Sequence, residues 1–250
     1  MRVVLTGAGG FLGWHTRLRL HALTDHDVVA IDRTAWPSLA EAVAGADAVI
    51  HVAGANRGTD EEVSATNIEL AEDVASAVAG SGRPLRVVLA GTISAGAPSA
   101  YGQSKATARD IIAEACRSTG SEFVDVELPN LFGEHGRPHY NSFVATFIDH
   151  AVQGTTPETI SDATVGLLHA QDAADFLIQA LTTRPAPARE AVTRVGVAEV
   201  WALLQEFRES YATGEIPALT DAFRINLFNA YRSALFPLHY PCLLYTSRCV

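Results

Sequence analysis

Five short runs of β-branched and aliphatic residues limit what this 250-residue chain can become. They are RVVLTG (2–7), DVVAID (27–32), DAVIHVAG (47–54), RVVLAG (86–91) and EFVDVEL (122–128). A strand with one wet face alternates apolar and polar positions, whereas a strand buried on both faces of a parallel sheet is apolar nearly throughout. Stretches of helical character separate the runs, at about 11–23, 36–44, 60–80 and 101–119. This β-α-β order, with right-handed crossovers, implies an α/β fold: a Rossmann-type doubly wound parallel sheet.

After Pro129 the alternation stops. A loop rich in Gly, Pro and His, PNLFGEHGRPHYNS, leads to a helix near 141–153, a short strand near 163–168 and a helix near 171–182. TTRPAPARE reads as a Pro-rich connector, and two more helices follow near 196–210 and 218–235. The expected division is 1–128 as the Rossmann domain and 129–241 as a small C-terminal lobe with some returning Rossmann elements. Residues 242–250, CLLYTSRCV, match no periodicity begun before them and read as a non-native tail on a truncated chain.

Composition excludes some functions. A formal charge of -10 argues against a nucleic-acid partner and against charge-driven membrane binding. No apolar run reaches the roughly 18 residues of a membrane helix. The first residues are expected to enter a strand directly and show neither the long apolar segment nor the cleavage site of a signal peptide. The three cysteines, Cys116, Cys242 and Cys249, show neither metal spacing nor a disulfide framework, so the expectation is no metal and a reducing, cytoplasmic location.

The turn TGAGGFLG lies between the first strand and the first helix. Gly7 allows the tight turn and Gly10 leaves room for a pyrophosphate. Gly13 lets helix and strand pack closely, while the N–H groups around Phe11 and Leu12 attract the anion. At the N-terminus, between strand and helix, this is the setting a dinucleotide motif requires. Asp32 ends the second strand, where an acid meets the adenine ribose, but Arg33 follows and can fork onto a 2′-phosphate. The pair is ambiguous between NAD and NADP; our reading leans to NADP. Ala53 and Gly54 let a cofactor lie flat across the strand ends, and Asn56 and Arg57 lie just beyond, toward phosphate or substrate.

Tyr101 and Lys105 share one face of the fourth helix. A free phenol has a pKa near ~10, and a nearby cation lowers it. A phenol so tuned exchanges a proton with a carbonyl or alcohol as hydride moves to or from nicotinamide. Lys105 also has donors for the nicotinamide ribose. The third partner is a hydroxyl at the end of the fourth strand: Thr92 or Ser94, with Thr92 preferred for its place nearer the strand edge.

GAGGFLG, HVAG, TIS and YGQSK, in that order, resemble the extended short-chain dehydrogenase/reductase family over nearly the whole chain. LPNLFGEHGRPHYNSFVATF (128–147) and GEIPALTDAFRINLFNAYRSALFP (214–237) resemble the reductase domain of bacterial capsular-polysaccharide enzymes of the UDP-N-acetyl-L-fucosamine pathway, in which a cupin domain follows. The resemblance implies NADPH-dependent reduction of a 4-keto group on a UDP-linked amino sugar. Tyr101 would be the acid, Lys105 its tuner and Thr92, where the family commonly has serine, the donor to the carbonyl. It also implies a UDP-sugar partner and a homodimer through the helices near 60–80 and 101–119. A diphosphate calls for polar groups, and Ser94, Asn130, Arg137, His139 and Asn141 are the further candidates for substrate contact. Asp172, after His169, reads as a helix cap.

Two rivals remain. An epimerase on the same scaffold would keep NAD bound and return the hydride. A non-catalytic dinucleotide sensor would keep the glycine turn and need no Tyr–Lys pair. A dehydratase is disfavoured, because Ile93 and Ser94 stand where such enzymes place an Asp-Glu pair.

Overall fold

A computed structural model of the protein describes residues 1–185 and 187–239, so the expected tail at 242–250 lies outside the described residues. The chain forms two compact units. The first contains β1 (Arg2–Thr6), α1 (Phe11–Leu23), β2 (Asp27–Ile31), α2 (Leu39–Ala44), β3 (Ala48–His51), α3 (Asp60–Gly80), β4 (Arg86–Thr92), α4 (Ala100–Thr119) and β5 (Glu122–Leu128). The strands form one five-stranded sheet in the order β2-β1-β3-β4-β5, parallel throughout. Val3 is in register with Val28 on one side and Ala48 on the other, so the direction of winding reverses at β1. Ligands of such sheets bind beyond the carboxyl ends of the strands at that reversal.

The continuous apolar runs have the burial they imply. Val3, Val4, Leu5, Val49, Ile50, Val87 and Val88 are fully buried. Val4, Val49 and Val87 join a core with Val43 of α2, Val74 and Val78 of α3, and Ala108 and Ile112 of α4. Two helix starts near the strand ends are specified locally. Thr59 and Glu62 form a reciprocal capping box at α3, and the Ser99 hydroxyl accepts the Gly102 N–H at α4.

The second unit holds β6 (Asn130–Phe132), α5 (Phe143–Gln153) and β7 (Thr164–His169). The chain then returns to the first unit for α6 (Ala170–Gln179), and goes back to the second with β8 (Thr193–Gly196), α7 (Val197–Ala212) and α8 (Ala222–His239). β6 pairs parallel with β7, and β7 pairs antiparallel with β8. Phe132, Phe147, Leu204, Phe207, Phe228 and Tyr231 form this unit's core. β6 and β8, of 3 and 4 residues, are too short to carry a readable period. Asp172 is not a cap: it lies inside the first turn of α6, where a carboxylate suits the positive end of the helix.

Candidate active site

The glycine turn makes the contacts its sequence implies. Gly7 has φ +68°, and a Cβ there would approach Ala53 N to 2.6 Å. A Cβ on Gly13 would lie 2.0 Å from Gly7 O. Gly10 precedes α1, donates to Gly7 O at 2.9 Å, and brings no side-chain cap to the helix. The first turn of α1 also has no acidic residue. The N–H groups at Phe11 and Leu12 therefore end in a small-residue cradle with Ala53, which fits a pyrophosphate.

Asp32 follows β2 and is tied into its own turn. Its Oδ1 accepts from Thr34 Oγ1 at 2.7 Å, Thr34 N at 2.9 Å and Ala35 N at 3.0 Å. These bonds, the Thr34 hydroxyl first, hold the carboxyl below its usual range. Arg33 is exposed beside it.

Thr92 ends β4, and Tyr101 and Lys105 lie one turn apart near the start of α4. The Thr92 hydroxyl accepts the Ser94 N–H at 3.2 Å and stands beside the Tyr101 phenol, which it influences electrostatically. Ser94 itself is exposed. Lys105 is buried, and its Nζ donates to Ala90 O at 3.1 Å. A Cβ on Gly54 would lie 4.0 Å from that nitrogen, so the amine sits at the junction of the β3 and β4 ends. The phenol departs from expectation in one respect. Burial pushes it above its usual value and the Thr92 hydroxyl draws it only partly back.

Several residues of this centre escaped the sequence reading. Gly102 leaves space for the 94–97 turn: a Cβ there would lie 2.5 Å from Ser94 O. Asn67 Oδ1 accepts the Ala55 N–H at 2.8 Å, and its Nδ2 donates to Ala55 O at 2.9 Å and to Ser104 Oγ at 3.1 Å. Ser104 Oγ donates to Tyr101 O, which links α3 to the first turn of α4. The available signal was position: Asn67 lies on the buried stripe of Val63, Ala71 and Val74, where an unexplained amide is costly. His51, fully buried at the end of β3, lies 2.7 Å from Thr6 Oγ1 through Nδ1. Burial, and then the Lys105 charge, push it down to about 3.

The other candidates are spread over both units. Asn56 and Arg57 are exposed on the loop between β3 and α3. In the second unit, Asn130 opens β6 and Asn141 is exposed before α5. Arg137 stacks over the Tyr140 ring at 5.1 Å. His139 holds φ +54°, uncommon for a non-glycine residue; its N–H donates to Thr146 Oγ1 and its Nε2 lies 3.0 Å from Asp149 Oδ2. Those partners give His139 a place in the loop structure. His169 is buried with Nε2 3.0 Å from Glu134 Oε2. Among the described residues no cluster could hold a metal ion, and no helix is long and apolar enough to cross a membrane.

A glycine turn at the reversal of a parallel sheet, with a threonine ending β4 and a tyrosine and a lysine near the start of α4, is the arrangement of Rossmann proteins that use a dinucleotide for reductase or epimerase chemistry. The chain belongs to the NAD dependent epimerase/dehydratase family, whose model matches residues 3–195. It is 29% identical over 243 residues to UDP-2-acetamido-2,6-beta-L-arabino-hexul-4-ose reductase of Pseudomonas aeruginosa, covering 94% of this chain and 65% of that protein. It is also similar to the capsular polysaccharide assembling protein CapF of Staphylococcus aureus, with a TM-score of 0.84 at 28% identity, covering 94% of this chain and 66% of that one. A UDP-glucose 4-epimerase of Thermotoga maritima shares the fold, with a TM-score of 0.75 at 14% identity over 94% of this chain and 98% of that one. The chain thus spans about two thirds of the length of the first two relatives.

Proposed function

We propose that this protein reduces the 4-keto group of a UDP-linked deoxy-amino sugar, with NADPH as cofactor, in surface polysaccharide synthesis. The observation that carries the reading is the approach of the Thr92 hydroxyl to the Tyr101 phenol, with Lys105 one helical turn on. The similarity to a 4-keto sugar reductase adds the substrate class. When bound, the cofactor supplies the hydride. Gly7, Gly10, Gly13 and the first turn of α1 would hold its pyrophosphate, Ala53 and Gly54 would face its length, and Lys105 would hold the nicotinamide ribose. Thr92 donates to the ketone oxygen and orients it, and Tyr101 gives that oxygen its proton. Lys105 stabilises the phenolate left behind. NADP is favoured over NAD because Asp32 spends Oδ1 on its own turn while Arg33 remains exposed for a 2′-phosphate.

Asn56, Arg57, Ser94, Asn130, Arg137 and Asn141 are proposed to contact the UDP-sugar, and His139 to shape the loop that carries Arg137. A homodimer through α3 and α4 completes the reading. An epimerase is the second reading, supported by the fold shared with a 4-epimerase. The test is to mix the protein, NADPH and a UDP-4-keto sugar and follow absorbance at 340 nm. A reductase consumes NADPH in proportion to ketone. An epimerase that retains its cofactor consumes none, and that outcome would overturn the proposal.

A further inference from the structure

Beneath Lys105 lies a carboxylate that the chemistry above does not use. Asp125 of β5 is in register with Leu89 of β4, and Leu89 faces the core formed with α3 and α4. Its neighbours Val124 and Val126 therefore point to the opposite side of the sheet. Space for the carboxylate comes from Gly91, where a Cβ would lie 2.0 Å from Asp125 Oδ1. That oxygen is closed off from solvent and has no hydrogen-bond partner among the described residues. An oxygen so placed is unfavourable unless a charge compensates for it.

Lys105 is the complementary case, a buried ammonium whose Nζ donates to Ala90 O. The two groups thus meet the same peptide: the amine at the carbonyl of Ala90, the carboxylate at the α-carbon of Gly91. The other cation facing Asp125, Arg109 of α4, is engaged by Asp110 at 2.8 Å and is more than a third exposed. We propose that Asp125 is a positioning residue for Lys105: admitted by the bare α-carbon of Gly91, its carboxylate keeps the buried amine charged and parked at the end of β4. For its activity readout, this rests on the reductase reading.

The ionisation of the neighbours agrees. Burial, then Glu127 on the same strand, push Asp125 up to about 6, against Arg109 and Lys105. Burial lowers Lys105, and Asp125 draws it back. The charged and titratable groups that act on the pair are Arg109 of α4, Glu127 of β5 and His51 of β3, which is held neutral by burial. Asp125 is therefore ionised and supports the ammonium above about pH 6, and the support disappears below it.

The composition supplies a clean probe. Lys105 is the chain's only lysine among 18 lysines and arginines. Lysine labelled with nitrogen-15 gives one side-chain amine signal, readable without assignment. In the wild type that signal is expected to step near pH 6 as Asp125 ionises, and in Asp125→Asn the step disappears and the amine loses its proton at lower pH. With NADPH and a UDP-4-keto sugar, Asp125→Asn is expected to be about tenfold slower than wild type at pH 8 and equal to it at pH 5. A merely structural aspartate would slow both pH values alike. Identical amine titrations in the two proteins overturn the proposal. Should Asp125→Asn fail to fold, a flat wild-type signal through pH 6 overturns it equally. If the wild type reduces no keto-sugar, the reductase reading falls, and the amine titration still decides the part played by Asp125.

Discussion

A Cβ on Gly13 would stand 2.0 Å from the carbonyl oxygen of Gly7, so the first helix and the turn before it fit only without a side chain at position 13. Gly13→Ala must push the helix away from the strand end. Overpacking of this kind costs about 1–3 kcal/mol, or roughly 2–12 °C in Tm for a chain of this size. Calorimetry and a fluorescence titration with NADPH should show both a lower Tm and weaker binding. If both match the wild type, the helix does not carry the cradle.

Tyr101→Phe removes the proton and leaves the ring. Turnover of the keto-sugar should fall by about 10²–10⁴-fold. NADPH affinity should stay near that of the wild type, because the cradle residues are untouched. Full activity in this variant would exclude the phenol as the acid.

The Thr92 hydroxyl both accepts from Ser94 N and stands beside the Tyr101 phenol. Thr92→Ser keeps those interactions and should keep most of the rate. Thr92→Val loses them, and should cost on the order of 10²-fold in kcat. It should also push the phenol further up, since the Thr92 hydroxyl draws it down. The ultraviolet difference spectrum of tyrosine ionisation, with Tyr101→Phe as the blank, measures that shift.

His51 and Asp125 make opposite demands on stability as pH changes. His51 falls from 6.5 to about 3 on folding, so the unfolded chain binds the extra proton between those values. Its contribution is complete above 6.5 and is lost as pH falls toward about 3. Asp125 rises from 3.8 to about 6, so its contribution is complete below 3.8 and is lost as pH rises through about 6. Urea unfolding between pH 4 and 6 should therefore show a shallower pH dependence in His51→Gln and a steeper rise of stability with pH in Asp125→Asn. Each change is bounded by about 1.4 kcal/mol per pH unit. A shift of either slope the other way would contradict the burial assigned to that residue.

The sequence disclosed what local chemistry demands. Gly7 needs its left-handed backbone whatever surrounds it, and Ser99 caps α4 through a bond three residues long. β1, β3 and β4 were readable because burial on both faces keeps their middles apolar, whereas β5 carries Asp125 and Glu127 among its apolar positions. What stayed hidden depends on distant partners. Gly91 matters only because the register sets β5 beside it, and Asn67 only because Ser104 arrives 37 residues later. The expected lowering of Tyr101 rested on helical spacing alone. Spacing could not show that the Lys105 amine turns to a strand carbonyl, or that burial governs the phenol.

The return of the chain to its first unit at Ala170 rules out a simple cut. Arg19 of α1 grips Asp175 of α6 through two bonds of 2.6 Å and reaches Gln171 at 3.1 Å. A recombinant fragment ending at Pro129 would amputate α6, strip Arg19 of that carboxylate and lay bare the surface α6 covers. Anyone wishing to excise the nucleotide half must graft 170–192 back onto it, for instance by replacing 130–169 with a short linker, because this half is contiguous in space and interrupted along the gene.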